Sequence, residues 1–354
     1  MGKTEYVRAV DIAERLNLRL RWITPRELEL AEPAHKVELP AESREARIDG
    51  LVVDLGDPTV MRGGALYVSK IDFARRLMPL LRPAQIGPPP QTPRIIAIDP
   101  GHGGIDPGKE NHRLGLQEKV LTLDVALRLR KLLEAGGFQV VMTRTTDRPP
   151  ATTKEADLPR RPEIANLAHA DLFISIHFNA GPPADTRTHG TTVFTFVPFY
   201  QRSSDSWSGG VGDNAEPNKE YPNPSPANRN DVWSVVLAHA VHRELLGALH
   251  TGDLGERLAH YMVLRALNCP GILVESAYLS NDAEAERVAT PAFRQQIAEA
   301  LAAGIHAYAA EIDSLRPPGP ATPAVVPAGG LSERPGAAAQ PYLLPALQAP
   351  KRPS

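Results

Sequence analysis

Two histidines and two glutamates, far apart along the chain, stand where they could do hydrolytic chemistry: His102, Glu118, His177 and Glu275. Three of them sit in or just after apolar runs, within IAIDPGHGG ending at Gly104, DLFISIHFNA ending at Ala180 and GILVESAYLSN ending at Asn281. Two imidazoles and one carboxylate are the ligand set of many catalytic zinc sites, which leave the fourth position to water. Zinc suits that mixture of nitrogen and oxygen donors and lowers the pKa of its water toward ~7. Glu275 adds a second carboxylate, which could take a proton from such a water and pass it to a leaving nitrogen. Each residue alone also has a plainer reading. Glu118 could simply favour a helix N-terminus, the two histidines could be satisfied loop or strand-end residues, and Glu275 could be an ion-paired acid.

The elements that would position these groups can be read from the apolar patterning. Ile95–Ile98, Leu172–Ile176 and Ile272–Val274 read as strands covered on both faces, in a mostly parallel sheet. In open sheets of that kind ligands bind beyond the carboxyl ends of the strands. His102, His177 and Glu275 are all there. A helix beginning near Leu116 has Leu121, Val125, Leu129, Leu132 and Leu133 as its core stripe, with Glu118 on the same face. A carboxylate aimed at a core must be paired, hydrogen-bonded or metal-bound.

The rest of the pattern divides the chain. Residues 1–82 read as a small α+β domain, with helical spacing at Val10, Ala13 and Leu16, then Leu18, Leu20 and Trp22 alternating with Arg19 and Arg21. Residues 83–93, with Gly87-Pro88-Pro89-Pro90, read as an extended linker. Residues 94–315 alternate strand and helix patterns as an α/β layer does. Strands are expected at Arg94–Asp99, Phe138–Thr143, Leu172–His177, Thr191–Val197 and Gly271–Glu275; helices are expected to begin near Leu116, Arg161, Asp231 and Pro291. Within this region 201–230, rich in Ser, Gly, Asn and Pro, is a long loop or insertion. Residues 316–354, rich in Pro and Ala, read as a disordered tail. The fold class is therefore α/β, a mostly parallel central sheet flanked by helices on both faces, with a small N-terminal α+β domain.

Composition narrows the function classes. With 39 basic against 41 acidic residues the chain has no electrostatic reason to bind nucleic acid. Its single cysteine, Cys269, excludes an intrachain disulfide and reads as a small core residue. No apolar stretch approaches the ~20 residues that span a bilayer, and MGKTEYVRAV lacks the apolar segment of a secretory signal.

The ordered motifs resemble the zinc-dependent N-acetylmuramoyl-L-alanine amidases of the amidase type 3 family. The matching positions are Asp99 to Gly104, Gly115 with Glu118, Thr143-Arg144, Arg161 with Ala165-Asn166, Ser175 to Ala180, Pro270 with Leu273-Val274-Glu275, and Ser280-Asn281. The resemblance implies one zinc on His102, Glu118 and His177, with Glu275 as the catalytic carboxylate. It also implies hydrolysis of the amide between N-acetylmuramic acid and the L-alanine of the stem peptide, in wall remodelling or daughter-cell separation. A periplasmic or envelope location follows, with peptidoglycan as partner. Asn179, Arg144 and Arg161 are weaker candidates for substrate contact; strand-end capping and loop-holding ion pairs are their alternatives. His239 and His242 read as helix histidines that are exposed or bonded to a partner. Within 201–230, Asp213 or Glu216 could in principle reach the metal, but a substrate-groove loop or a disordered insertion is favoured over autoinhibition. Residues 1–82 loosely resemble the copper-amine-oxidase N-terminal-like module of envelope proteins, without its metal chemistry, and suit wall targeting or docking to an activator. The competing readings are a zinc peptidase cutting within the stem peptide and a binding protein with a degenerate site.

Overall fold

The computed structural model describes residues 4–182, 186–203 and 223–316. Its backbone is an eleven-stranded sheet, in spatial order Gln139–Met142, Ile95–Pro100, Leu172–Asn179, Gly271–Tyr278, Thr191–Phe196, Asp253–Ala259, Leu51–Asp54, Glu45–Ile48, Lys36–Pro40, Glu27–Ala31 and Arg19–Thr24. The first four are parallel to one another. Thr191–Phe196 then runs antiparallel to Gly271–Tyr278. The five strands drawn from residues 19–54 pair antiparallel among themselves. They join the larger part through Val53 opposite Glu256, and Val52 N–H donates to Asp253 Oδ2 at 2.8 Å. The 1–82 segment and the 94–315 segment thus share one sheet. The fully buried Arg76 ties them further, donating to Asp54 O, Thr195 Oγ1 and Glu256 O.

The parallel strands are buried on both faces because their side chains alternate between two cores. Ile96, Ile98, Ile174, Ile176, Ile272 and Val274 pack under the helices Glu118–Ala135, Asp231–Leu249 and Pro291–Ser314. Ala97, Phe173, Phe194 and Leu273 face the other way, against Ala165, Val263, Leu264 and the buried Cys269. The site residues continue this second set, two residues at a time: Phe173, Ser175, His177 on one strand and Leu273, Glu275 on the next.

Several expectations need correction. The helix expected near Arg161 begins at Lys154, because Thr153 accepts the Ala156 N–H as its cap and Pro159 and Pro162 are tolerated inside it. The helix expected near Leu116 is present as Glu118–Ala135, preceded by the pairing of Leu116–Gln117 with Glu110–Asn111. The first helix buries Ala9, Ile12, Ala13 and Leu16 and leaves Val10 exposed. Arg19–Thr24 is not half-buried by alternation, for it is the sheet's edge and Trp22 is exposed. Strand Asp253–Ala259 has no counterpart in the sequence reading. In the Pro-rich stretch Pro83–Gln85 forms one helical turn, and residues 86–94 have no regular structure. Asp213, Glu216 and residues 317–354 lie outside the described residues.

Candidate metal centre

His102 stands on the turn that ends strand Ile95–Pro100, in a left-handed conformation with φ of 61°. A non-glycine residue there carries local strain and needs outside support. Two guanidiniums provide it. Arg161, 1% exposed, donates to Pro100 O at 2.9 Å and to His102 O at 2.8 Å, and its other donors meet Asp99 and Asp157. Arg144, also buried, donates to Pro100 O, Gly101 O, Thr146 O and Lys119 O. Arg144 and Arg161, two of the three positions named for substrate contact, therefore hold the loop with their donors engaged.

Asp99 is the acid at the centre of this clamp. Fully buried, it accepts from Thr143 Oγ1 at 2.6 Å, Ser175 Oγ at 2.7 Å and Arg161 at 2.8 Å. Burial alone would raise its pKa, but Arg161 and the two hydroxyls hold it below the usual carboxylate range.

Glu118, 3% exposed, opens its helix at the mouth of the parallel strands. Its Oε1 accepts from Phe178 N–H at 3.0 Å and lies 3.0 Å from His177 Nδ1. Its Oε2 accepts from Lys109 N–H at 2.8 Å and lies 3.0 Å from His102 Nε2. Each oxygen thus takes one backbone N–H and faces one imidazole. Ligand atoms of His102, Glu118 and His177 all lie within 4.8 Å of one another. Room for this convergence depends on two glycines: a Cβ on Gly101 would run into the His177 ring, and one on Gly108 would stand 2.6 Å from both Glu118 Oε2 and the His102 ring.

The electrostatics fit a cation. Without one, burial opposes charge on Glu118, yet the two imidazoles hold it well below the ordinary carboxylate range. His102 is pushed up to about 10, since Glu118 and Asp106 outweigh its burial, while burial and the neighbouring His102 push His177 down. A buried carboxylate set between two imidazoles is a donor set that suits a divalent ion. Asp106 Oδ2 lies 3.0 Å from His102 Nδ1, an arrangement that favours a proton on Nδ1 and would leave Nε2 to a metal ion.

Glu275, 9% exposed, rises from the strand beside His177. Together with Asn179, whose Oδ1 accepts from Ala180 N–H, it lines a groove of about 550 Å³ that also contains the three clustered residues. The groove continues over the second face of the sheet to Leu158, Phe194, Tyr261 and Met262. His239 and His242 lie elsewhere and are bonded to Glu256 and Asp253, as helix histidines with partners. Sequence reasoning missed Asp106 and the role of Asp99. The signal for the first was a carboxylate four residues after His102, and for the second an acid ending a wholly apolar strand.

An α/β sheet whose strand ends bring two imidazoles to a carboxylate at a helix N-terminus, beside a second carboxylate, has the layout of a metal-dependent hydrolase. The chain belongs to the amidase type 3 family, whose model, described as N-acetylmuramoyl-L-alanine amidase, matches residues 96–307. It is similar to the N-acetylmuramoyl-L-alanine amidase AmiC of Neisseria meningitidis, 33% identical over 241 residues that cover 60% of this chain and 52% of that protein. It is also similar to AmiC of Escherichia coli, 33% identical over 250 residues, covering 65% and 57%. The chain spans about half the length of these two relatives. A solved N-acetylmuramoyl-L-alanine amidase from Clostridium difficile 630 is similar at 26% identity and a TM-score of 0.47, covering 62% of this chain and 97% of that one.

Proposed function

We propose that the protein is a peptidoglycan hydrolase that uses one zinc ion to cleave the amide between N-acetylmuramic acid and the L-alanine of the stem peptide. The observation that carries this reading is the convergence of His102, Glu118 and His177 beside Glu275, in a chain of the amidase family. Zinc held by those three residues would polarise the scissile carbonyl and supply a nucleophile at neutral pH. The chain's own groups do the rest. Glu275 accepts the proton of the attacking water and returns it to the leaving nitrogen. Asp106 keeps His102 in the ligating tautomer, and the Arg144–Arg161 clamp holds its backbone in place.

This substrate lies outside the cytoplasm, so we place the protein in the periplasm or cell envelope. No helix among the described residues is long and apolar enough to cross a membrane. Residues 1–82 serve as a docking surface for the wall or for an envelope partner.

The test is digestion of purified sacculi by zinc-loaded protein, with mass analysis of the products. Peptides beginning with free L-alanine, and glycan bearing free lactyl groups, are expected. Fragments cut inside the stem peptide would instead establish a peptidase. His177→Ala should lose both zinc and activity, and a full zinc content in that variant would remove His177 from the ligand set.

A further inference from the structure

The groove that contains His102, Glu118, His177 and Glu275 carries two ammonium groups that the reaction above leaves unused, on Lys109 and Lys154. Lys109 is half-buried, and no hydrogen bond or ion pair of its side chain occurs among the described residues. Its own N–H donates to Glu118 Oε2, so its side chain departs next to the ligand cluster. Lys154 opens the helix Lys154–Leu167, where a cation is opposed by the helix dipole, so local helix stability does not account for it. Its side chain is 64% exposed and its Nζ lies 3.9 Å from Asp106 Oδ2, which in turn is 3.0 Å from His102 Nδ1.

Three acids of this region are already engaged, and the fourth, Glu275, is the one the reaction above uses. Asp106 is bonded to His102, Asp157 to Arg161, and Glu118 to two imidazoles. With a divalent ion added to Lys109, Lys154 and Arg161, the positive charge around this part of the groove would slightly exceed the negative charge of Asp106, Glu118, Asp157 and Glu275. Elsewhere the lining, at Phe194, Tyr261 and Met262, is apolar and aromatic. Such a field draws an anionic group toward the two lysines and orients whatever carries it.

We propose that Lys109 and Lys154 read a free carboxylate on the peptide side of the scissile amide. This rests on the amidase reading. In such a substrate the lactyl carboxyl is consumed in the amide itself, so the remaining carboxylates belong to the peptide and its direction in the groove is fixed. Lysines suit the task because an ammonium on a flexible stem acts as a point charge and tolerates some variation in where the carboxylate falls.

The experiment compares two muramyl tripeptides that are identical except that every peptide carboxyl is free in one and a carboxamide in the other. Zinc-loaded wild type should favour the free acid by about tenfold in kcat/KM, the equivalent of one charge-assisted contact. In K154M and in the K109M/K154M double variant the ratio should fall toward one, mainly through KM, with zinc content unchanged, and K154R should restore part of it. The wild-type preference should also shrink as salt is raised. Equal use of both tripeptides by wild type, or an undiminished preference in K154M, overturns the proposal. Failure of the underlying amidase reading looks different: wild type would release no L-alanine-ended peptides from sacculi.

Discussion

His177 and Glu275 are register partners on adjacent parallel strands, with Ser175 and Leu273 opposite each other two residues earlier on the same face. Neighbouring strands lie ~4.8 Å apart, so the sheet itself delivers the acid next to the metal-facing imidazole, with no loop to order. A residue fixed in this way can be neutralised without disturbing its neighbours. Glu275→Gln should keep its zinc by elemental analysis and lose about 10²- to 10⁴-fold in kcat, the usual worth of a positioned general acid and base. Turnover at the wild-type rate would leave Glu275 without a part in the reaction.

Asp106 acts on His102 from the side away from Glu118, through the 3.0 Å contact at Nδ1. Carboxylates in that position fix the ring and its tautomer, and their loss commonly weakens metal binding about 10- to 100-fold. Asp106→Ala should therefore give up zinc to a competing chelator at correspondingly lower chelator concentration, while its circular dichroism stays that of wild type. An unchanged zinc affinity would mean that the turn around His102 is rigid enough without Asp106.

Arg161 joins two carboxylates, Asp99 and Asp157, to the carbonyls of Pro100 and His102. Removing the cation leaves two buried acids without their charge partner, a loss that typically costs about 3–5 kcal/mol. Arg161→Met should lower the free energy of unfolding in urea by that order, and Arg161→Lys should recover only part of it, since a single ammonium cannot span four acceptors. If Arg161→Met unfolds at the wild-type midpoint, the clamp contributes nothing and the strained His102 backbone is held by other contacts.

What the sequence made legible, and what it concealed, follows from the range of the interactions. The strands around His102, His177 and Glu275 are uninterrupted apolar runs because they are covered on both faces, so their patterning alone locates them. Strand Asp253–Ala259 offers no such run: it includes Glu256, fully buried and bonded to His239, and Asp253, bonded to His242. Those partners sit on a helix that precedes it, and local periodicity cannot report them. Arg144 and Arg161 were open to two readings for a related reason. A guanidinium that binds substrate and one that gathers loop carbonyls have the same sequence, and only burial and donor count separate them. The continuous sheet linking Leu51–Asp54 to Asp253–Ala259 was hidden because the edge contact is a pairing of distant segments across one register position.

His260 lines the same groove, with its ring edge-on to Phe196 at 5.7 Å between centroids. Burial, reinforced by the nearby Arg265 cation, pushes its pKa down to about 4 from 6.5. The folded state therefore prefers the neutral ring. As pH falls below 6.5 the unfolded chain takes up this proton first, so His260 withdraws stability from the fold progressively between pH 6.5 and about 4, and has no effect above that window. Two measurements check this. The Hε1 resonance of His260 should titrate well below that of an exposed histidine, and His260→Gln should flatten the part of the stability curve that falls between pH 6.5 and 4. A midpoint near 6.5 would mean that the ring charges as freely as in water, in which case the groove would gain a further cation beside Phe196 in mildly acidic conditions.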